Sequence, residues 1–239
     1  NVEAIIDIRE QSESKIIKKA KDVGIKIYWS YSIVDTAGYK RLNKISIMKL
    51  SNDGTSVTGN KISISCDCLG VAGGWTPAVH LHTQSGSKLI FDEEKKAFLP
   101  NKNTSEQMSI GSCNGDLKLD EIFINLKKKI KEMLNIEQTD FENIKVETDQ
   151  ENSKRNIWLL PSDKTLGKTK PFVDYQNDAT AKDIKLALRE GFRSIEHVKR
   201  YTTTGMGTDQ GKLGNMHALG IIADTAGLKM GELGTTTFR

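Results

Sequence analysis

The run VKRYTTTGMGTDQGK, residues 198–212, gathers the parts of an anion site into one short stretch. Lys199 and Arg200 bring positive charge, Thr202, Thr203 and Thr204 bring hydroxyls, and Gly205 and its neighbouring glycines expose backbone amides. Met206 and Gln210 lie in the same loop. The residues alone leave a second reading open, a plain turn closing a helical module. A further run, CDCLGVAGGWTP at 66–77, reads as a strand that ends in a close-approach loop. Gly73 and Gly74 would admit a ligand, Trp75 would cover it and Pro77 would set the exit turn; a tight turn at a sheet edge is the competing reading. Asp7 closes the apolar segment VEAIIDI. In a βαβ nucleotide-binding unit an acid at that point accepts a hydrogen bond from an adenosine ribose hydroxyl, although a strand-end Asp is also a common surface cap. Arg9 could meet adenine, meet phosphate or lie in solvent.

Other constellations carry less. Cys66-x-Cys68 with His80-x-His82 suggests a Cys₂His₂ zinc site, but zinc prefers C-x₂₋₄-C and H-x₃₋₅-H. Alternation along a strand puts Cys66 and Cys68 on one face, so no metal is assigned. GSCNG, residues 111–115, opens a long helix and reads as packing. His197 sits on a helix and receives no role. There is no Ser–His–Asp set, nucleophile elbow or paired-carboxylate geometry, so no catalytic residue is assigned.

The elements that must position these groups follow from periodicity. Val2–Ile8 reads as a buried strand and residues 13–23 as a helix with Ile16, Ile17 and Ala20 on one face, stopped by Gly24. Ile25–Trp29, Ser32–Thr36, Ile45–Leu50 and Lys61–Ser65 read as strands, the last two an antiparallel pair joined through SNDGTS. Cys68–Ala72 reads as another strand. Leu119, Ile122, Phe123, Leu126, Ile130, Met133 and Leu134 recur at helical spacing. Residues 135–170 turn polar, interrupted by IWLLP, and read as a connector ordered through Trp158, Leu159 and Leu160. Thr180 with Asp183 three residues on is a capping box for a helix carrying Ile184 and Leu188, and Gly191 stops it. Ser194 starts a second helix, and Met216–Ala226 is a third with Ala218, Leu219, Ile222 and Ala223 inward.

Composition narrows the class. The 239 residues suffice for a substantial core in one or two domains. The net charge of +4 is too mild, and too dispersed, to argue for nucleic acid. The basic run at Lys127–Lys129 with Lys131 reads as a solvated helix face. No apolar run approaches the roughly 20 residues of a membrane span, and three cysteines make no disulfide framework, which suits a reducing cytoplasm. Opening inside an apolar strand without Met, the sequence reads as an internal piece of a longer polypeptide.

Two resemblances carry the reading further. FVDYQND, the two helices and GMGTDQGK follow the layout of the [2Fe–2S] module of bacterioferritin-associated ferredoxin, in which C-x-C precedes the helices and G-M-G-x-C-Q-G-R-x-C follows them. Gly205, Met206, Gly207, Gln210 and Gly211 match that frame, while Asp174, Gln176, Asp209 and Gly214 stand where the ligand cysteines would be. Such clusters are held by thiolates, so the resemblance implies a module without its cluster. DYQND, VKRYTTTGMGTDQGK, GTTTFR and, upstream, CDCLGVAGGWTPAVHLHTQ resemble the alpha subunits of the heterotetrameric sarcosine oxidase family over nearly the whole chain, apart from residues near 135–170.

That resemblance implies an α/β fold: the later part of the NAD-binding region of a two-dinucleotide-fold reductase, then a small cluster-less ferredoxin-like helical module. The implied division is 1–134, a connector at 135–170, and 171–239 leading towards a folate-type domain. It implies that NAD is bound by Asp7, Arg9, Gly73, Gly74, Trp75 and Pro77. An FMN at the beta-subunit interface would be lined by Lys199, Arg200, Thr203, Thr204, Gly205, Met206 and Gln210. FAD, tetrahydrofolate and the beta, gamma and delta subunits complete the implied complex, which oxidises sarcosine with oxygen. A related flavin-dependent amine, opine or proline dehydrogenase subunit, or a non-catalytic scaffold with a vestigial dinucleotide site, is the alternative.

Overall fold

A computed structural model describes residues 1–101, 107–136, 146 and 155–235. The chain forms two compact units that do not follow chain order. One comprises Asn1–Ala72 with Asp149–Gly227, the other Gly73–Thr148 with Leu228–Arg239.

The first unit begins with strand β1 (Ala4–Asp7), helix α1 (Lys15–Asp22) and strand β2 (Lys26–Trp29). β1 and β2 pair in parallel, Asp7 opposite Trp29, as a βαβ unit requires. Ser14 caps α1 by accepting the Ile17 N–H, and Gly24 takes the left-handed conformation just beyond its end. Of the apolar face read for this helix only Ile17 is buried; Ile16 is exposed. Strands β3 (Tyr31–Gly38), β4 (Leu42–Leu50) and β5 (Val57–Ser65) form an antiparallel meander. β4 is its middle strand and buries Ile45, Ile47 and Leu50. The SNDGTS turn closes the pair as expected, with Asp53 accepting from the Ser51 hydroxyl and from Thr55.

From Arg155 onward the connector lies against this sheet. The Arg155 guanidinium donates to the carbonyls of Ile8, Ser51 and Asn52, tying the exit of β1 to the β4–β5 turn. The Ser32 hydroxyl donates to the Pro161 carbonyl and Ser162 to Val34, so this segment runs along β3. Lys164 pairs with Asp35 at 2.6 Å and Lys61 with Asp163 at 2.8 Å.

Beyond it, strands β8 (Phe172–Asp174) and β9 (Ala179–Thr180) form a short antiparallel pair. Helices α4 (Ala181–Arg189), α5 (Ile195–Thr202) and α6 (Asn215–Ala226) follow, with α4 packed against both others. Ile184, Leu188, Val198, Leu219 and Ile222 are the buried core of this helical part. The Thr180–Asp183 capping box is formed in both directions. Trp158 from the connector stands edge-on to His217 and lies against Gly220 of α6, where a β-carbon would run into its indole.

The second unit holds helix α2 (His80–Gln84), the hairpin of β6 (Leu89–Asp92) and β7 (Ala97–Pro100), a 3₁₀ turn at Gly111–Asn114, helix α3 (Leu119–Leu134) and helix α7 (Met230–Leu233). One expectation is corrected. Cys68–Ala72 is not a strand: the segment has no ladder partner, and Gly70 at its centre offers no side chain to bury. α3 has the predicted length and start, yet none of its residues is buried; helical periodicity marks an apolar face without supplying the surface that covers it. Among the described residues no helix is long and apolar enough to cross a membrane.

Gly220→Ala drives a methyl group into the Trp158 ring and is expected to cost about 1–3 kcal/mol through overpacking. Chemical denaturation of the intact subunit checks this, and pairing the change with Trp158→Phe should recover part of the loss.

Candidate functional site

Asp174, Gln176 and Asp209 belong to two loops that hydrogen bonds join. Asp174 ends β8 and is 5% exposed. Its carboxylate accepts the backbone N–H groups of Gln176 and Asn177, both at 2.9 Å, and the Asn177 side-chain amide at 3.3 Å. It also accepts the N–H of Gly205 at 2.6 Å, from the loop that follows α5. The first three bonds shape the β8–β9 turn, as Asp does at turns generally. The fourth joins that turn to the other loop.

Gln176 makes the second bridge. Its Oε1 accepts the Thr208 hydroxyl at 3.1 Å and the Asp209 N–H at 3.3 Å. Asp209 in turn accepts the N–H groups of Gly211 at 3.2 Å and Leu213 at 3.4 Å. Gly214 abuts the Val173 carbonyl, leaving no room for a side chain. Gly205 and Gly211, at φ of 71° and 74°, flank the Asn215 side-chain amide so closely that a β-carbon at either would collide with it. Only glycine meets both the left-handed backbone and the close approach.

The basic loop divides into an inner and an outer set. Thr202 donates to the Val198 carbonyl at 2.8 Å, and the Thr204 hydroxyl meets that of Thr202 at 2.7 Å; both residues are buried. The Thr204 hydroxyl and Gly205 N–H, expected to face an anion, therefore turn inward. Gln210 is half-buried, with its amide on the Gly207 carbonyl. Arg200, Thr203 and Met206 are exposed and Lys199 is half-buried. Thr203 caps the end of α5 with φ of 60°. Exposed Tyr175 and Leu213 belong to the same two loops.

The other sequence candidates lie elsewhere. Asp7 ends β1, and its carboxylate already accepts the Arg9 N–H and holds the Arg9 guanidinium through Nε and Nη2 at 2.9–3.2 Å. Burial pushes its pKa up, but the hydrogen bonds and charge of Arg9 outweigh this and hold it below the ordinary value. In the second unit Gly74 takes φ of 99° and Trp75 is 89% exposed, so the indole covers nothing within that unit. His82 is buried with Nε2 on the Lys88 carbonyl and Nδ1 near the Gln107 amide. Among the described residues no group of three or more His, Cys, Asp or Glu is placed to hold a metal ion.

Sequence reasoning missed the Asp174 and Gln176 bridges, the Asn215 amide between its two glycines, and Arg155. DYQND carried a usable signal, since an Asp followed two and three residues later by free amides is an Asx turn. Nothing local could place its fourth donor 31 residues away.

Residues 168–239, which contain this whole hydrogen-bonded loop, match the sarcosine oxidase A3 domain family. The chain is 36% identical to the sarcosine oxidase subunit alpha of Rhizobium meliloti (strain 1021), across 86% of its own length and 22% of that subunit. It is 32% identical to the subunit alpha of Corynebacterium sp. (strain P-1), across 100% of its own length and 25% of that subunit. Residues 168–239 belong to the sarcosine oxidase A3 domain family, and the chain as a whole is similar to part of sarcosine oxidase alpha subunits. It spans about a quarter of the length of the curated relatives it matches. Among solved structures, L-proline dehydrogenase from P. horikoshii has a similar fold, with a TM-score of 0.55 at 15% identity over 100% of this chain and 48% of that one. The mixed α/β fold of this chain is thus shared with a dehydrogenase.

Burial acts to raise the Asp174 pKa, and the donors from Gly205, Asn177 and Gln176 together reverse this, holding it below 3.8. A carboxylate whose pKa falls on folding stabilises the native state fully above its unfolded value and loses that contribution as pH drops through the lower folded value. Asp174→Asn is expected to cost about 2–3 kcal/mol at pH 7. Unfolding midpoints measured from pH 7 to pH 2 should fall more steeply for the wild type than for Asp174→Asn, the two curves closing together at the acid end.

Proposed function

We propose that this region serves a flavin-dependent amine oxidase complex, in which it binds a dinucleotide and borders an interfacial flavin without supplying a catalytic acid, base or nucleophile. The observation that carries the reading is the loop at 199–210. It lies inside the A3 domain match, is fixed from beneath by Asp174 and Gln176, and presents Arg200, Thr203 and Met206 outward with Lys199 half-buried beside them.

The substrate class is a secondary amine, sarcosine above all, oxidised with oxygen to glycine and hydrogen peroxide while the one-carbon unit passes to tetrahydrofolate. The amine-oxidising FAD and the folate chemistry belong to other parts of the complex, built with beta, gamma and delta subunits. FMN, when bound, accepts electrons and passes them to oxygen. The residues present fit its phosphate through the charges of Lys199 and Arg200 at the end of α5, not through loop amides, because the Gly205 amide is taken by Asp174. Met206 and Gln210 border the ring system in this reading. The module is a ferredoxin-like frame in which hydrogen bonds between loops replace bonds to iron.

NAD is assigned to the β1 end in the first unit, and the GGWTP loop of the second unit is a separate candidate for it. Both Asp7 oxygens already serve Arg9, so a ribose hydroxyl takes the place of the Arg9 guanidinium, which then turns to the adenine or a phosphate.

Replacing Lys199 and Arg200 together with Ala is expected to lower FMN content of the reconstituted complex at least several-fold while thermal stability stays within about 0.5 kcal/mol, as for surface changes. Unchanged flavin content, measured by absorbance after denaturation, would sink the phosphate assignment.

A further inference from the structure

The outward tip of the loop after α5 is short and strained, and one side chain from outside the loop holds it. Thr203 and Gly205 both occupy the left-handed region, at φ of 60° and 71°. For Thr that conformation costs about 1–2 kcal/mol, so it persists only where neighbouring contacts require it. Thr202 and Thr204 fix the inner side through their shared hydroxyl contact. Met206, the next residue on, is exposed. Between these inner and outer positions lies the Gly205 N–H, whose bond to Asp174 is the shortest of the four that this carboxylate accepts. A carboxylate needed only for its own turn would stop at Gln176 and Asn177. The Gly205 bond does more: it sets the height and direction of the Thr203–Met206 tip.

We propose that Asp174 is a positioning residue for the loop that borders the flavin, holding Thr203 and Met206 in one arrangement without touching the cofactor itself. This rests on the flavin reading given above. The charge matters as well as the shape. A carboxylate accepts all four donors, whereas an amide in its place presents N–H groups to at least one of them. Asn177 contributes a single side-chain donor and so trims the same network more gently.

The test uses the assembled complex with its flavin bound, comparing Asp174→Asn, Asn177→Ala, Met206→Lys and Asp183→Asn. The last breaks the capping box of α4 in the same helical module and lowers stability without touching the loop. The readouts are the visible absorption of the bound FMN and the rate at which its reduced form is reoxidised by oxygen. Misplacing groups around a reacting centre by about 1 Å costs up to about a hundredfold. Asp174→Asn is therefore expected to change the reoxidation rate at least tenfold, and Asn177→Ala less but in the same direction. Asp183→Asn should leave the flavin signals unchanged. Equal effects of Asp174→Asn and Asp183→Asn would reduce Asp174 to a stabilising residue and overturn the proposal. A flavin altered by Met206→Lys but not by Asp174→Asn overturns the positioning role and leaves the flavin reading intact. No response to either change overturns the flavin reading too. If Asp174→Asn fails to assemble, Asn177→Ala decides: a shift supports the proposal and an unchanged flavin contradicts it.

Discussion

One buried carboxylate organises the part of this chain that carries its function. Asp174 accepts four hydrogen bonds from two chain segments, and the Gly205 bond sets where the basic loop stands. Left without donors at this depth, the carboxylate would be costly; fully satisfied, it is a strong and directional tether. Gln176 repeats the arrangement a step further along the same loop, and Asn215 fills the space that Gly205 and Gly211 leave open. The two loops are thus held together by hydrogen bonds alone.

The helical part is not isolated within its unit. The connector carries Trp158 onto α6 and Arg155 onto the exit of β1, so one short segment touches both the helices and the strand that ends in Asp7. The small residue at Gly220 exists to receive that indole, and the three carbonyls gathered by Arg155 need a planar, multiply donating cation that Lys could not replace. The proposed dinucleotide strand and the proposed flavin loop thus share one packed framework.

Much of the fold was legible because local rules and tertiary context agree. The βαβ start, the SNDGTS turn, the capping box and the inward face of α6 all follow from periodicity and terminal residues. The rest was not legible for identifiable reasons. Cys68–Ala72 has strand-like residues but no partner to pair with, and pairing is a tertiary fact. α3 shows a seven-residue apolar face that the described residues cover only in part, none of it fully buried. At the candidate site, type and spacing picked out the loop but not which of its groups turn inward. The Thr204 hydroxyl faces inward onto that of Thr202, and the Gly205 amide faces inward because a distant carboxylate claims it, a contact with no local signature.

The braced loop at 199–210 is proposed to face a flavin across a subunit boundary. The most direct measurement is an experimental structure of the assembled complex at a resolution that shows the flavin ring and phosphate. The account predicts side-chain atoms of Lys199 or Arg200 within hydrogen-bonding reach of the phosphate, roughly 3 Å, and Met206 within about 4 Å of the ring, with Asp174 still bonded to Gly205. A flavin bound elsewhere, with this loop turned to solvent, would contradict it.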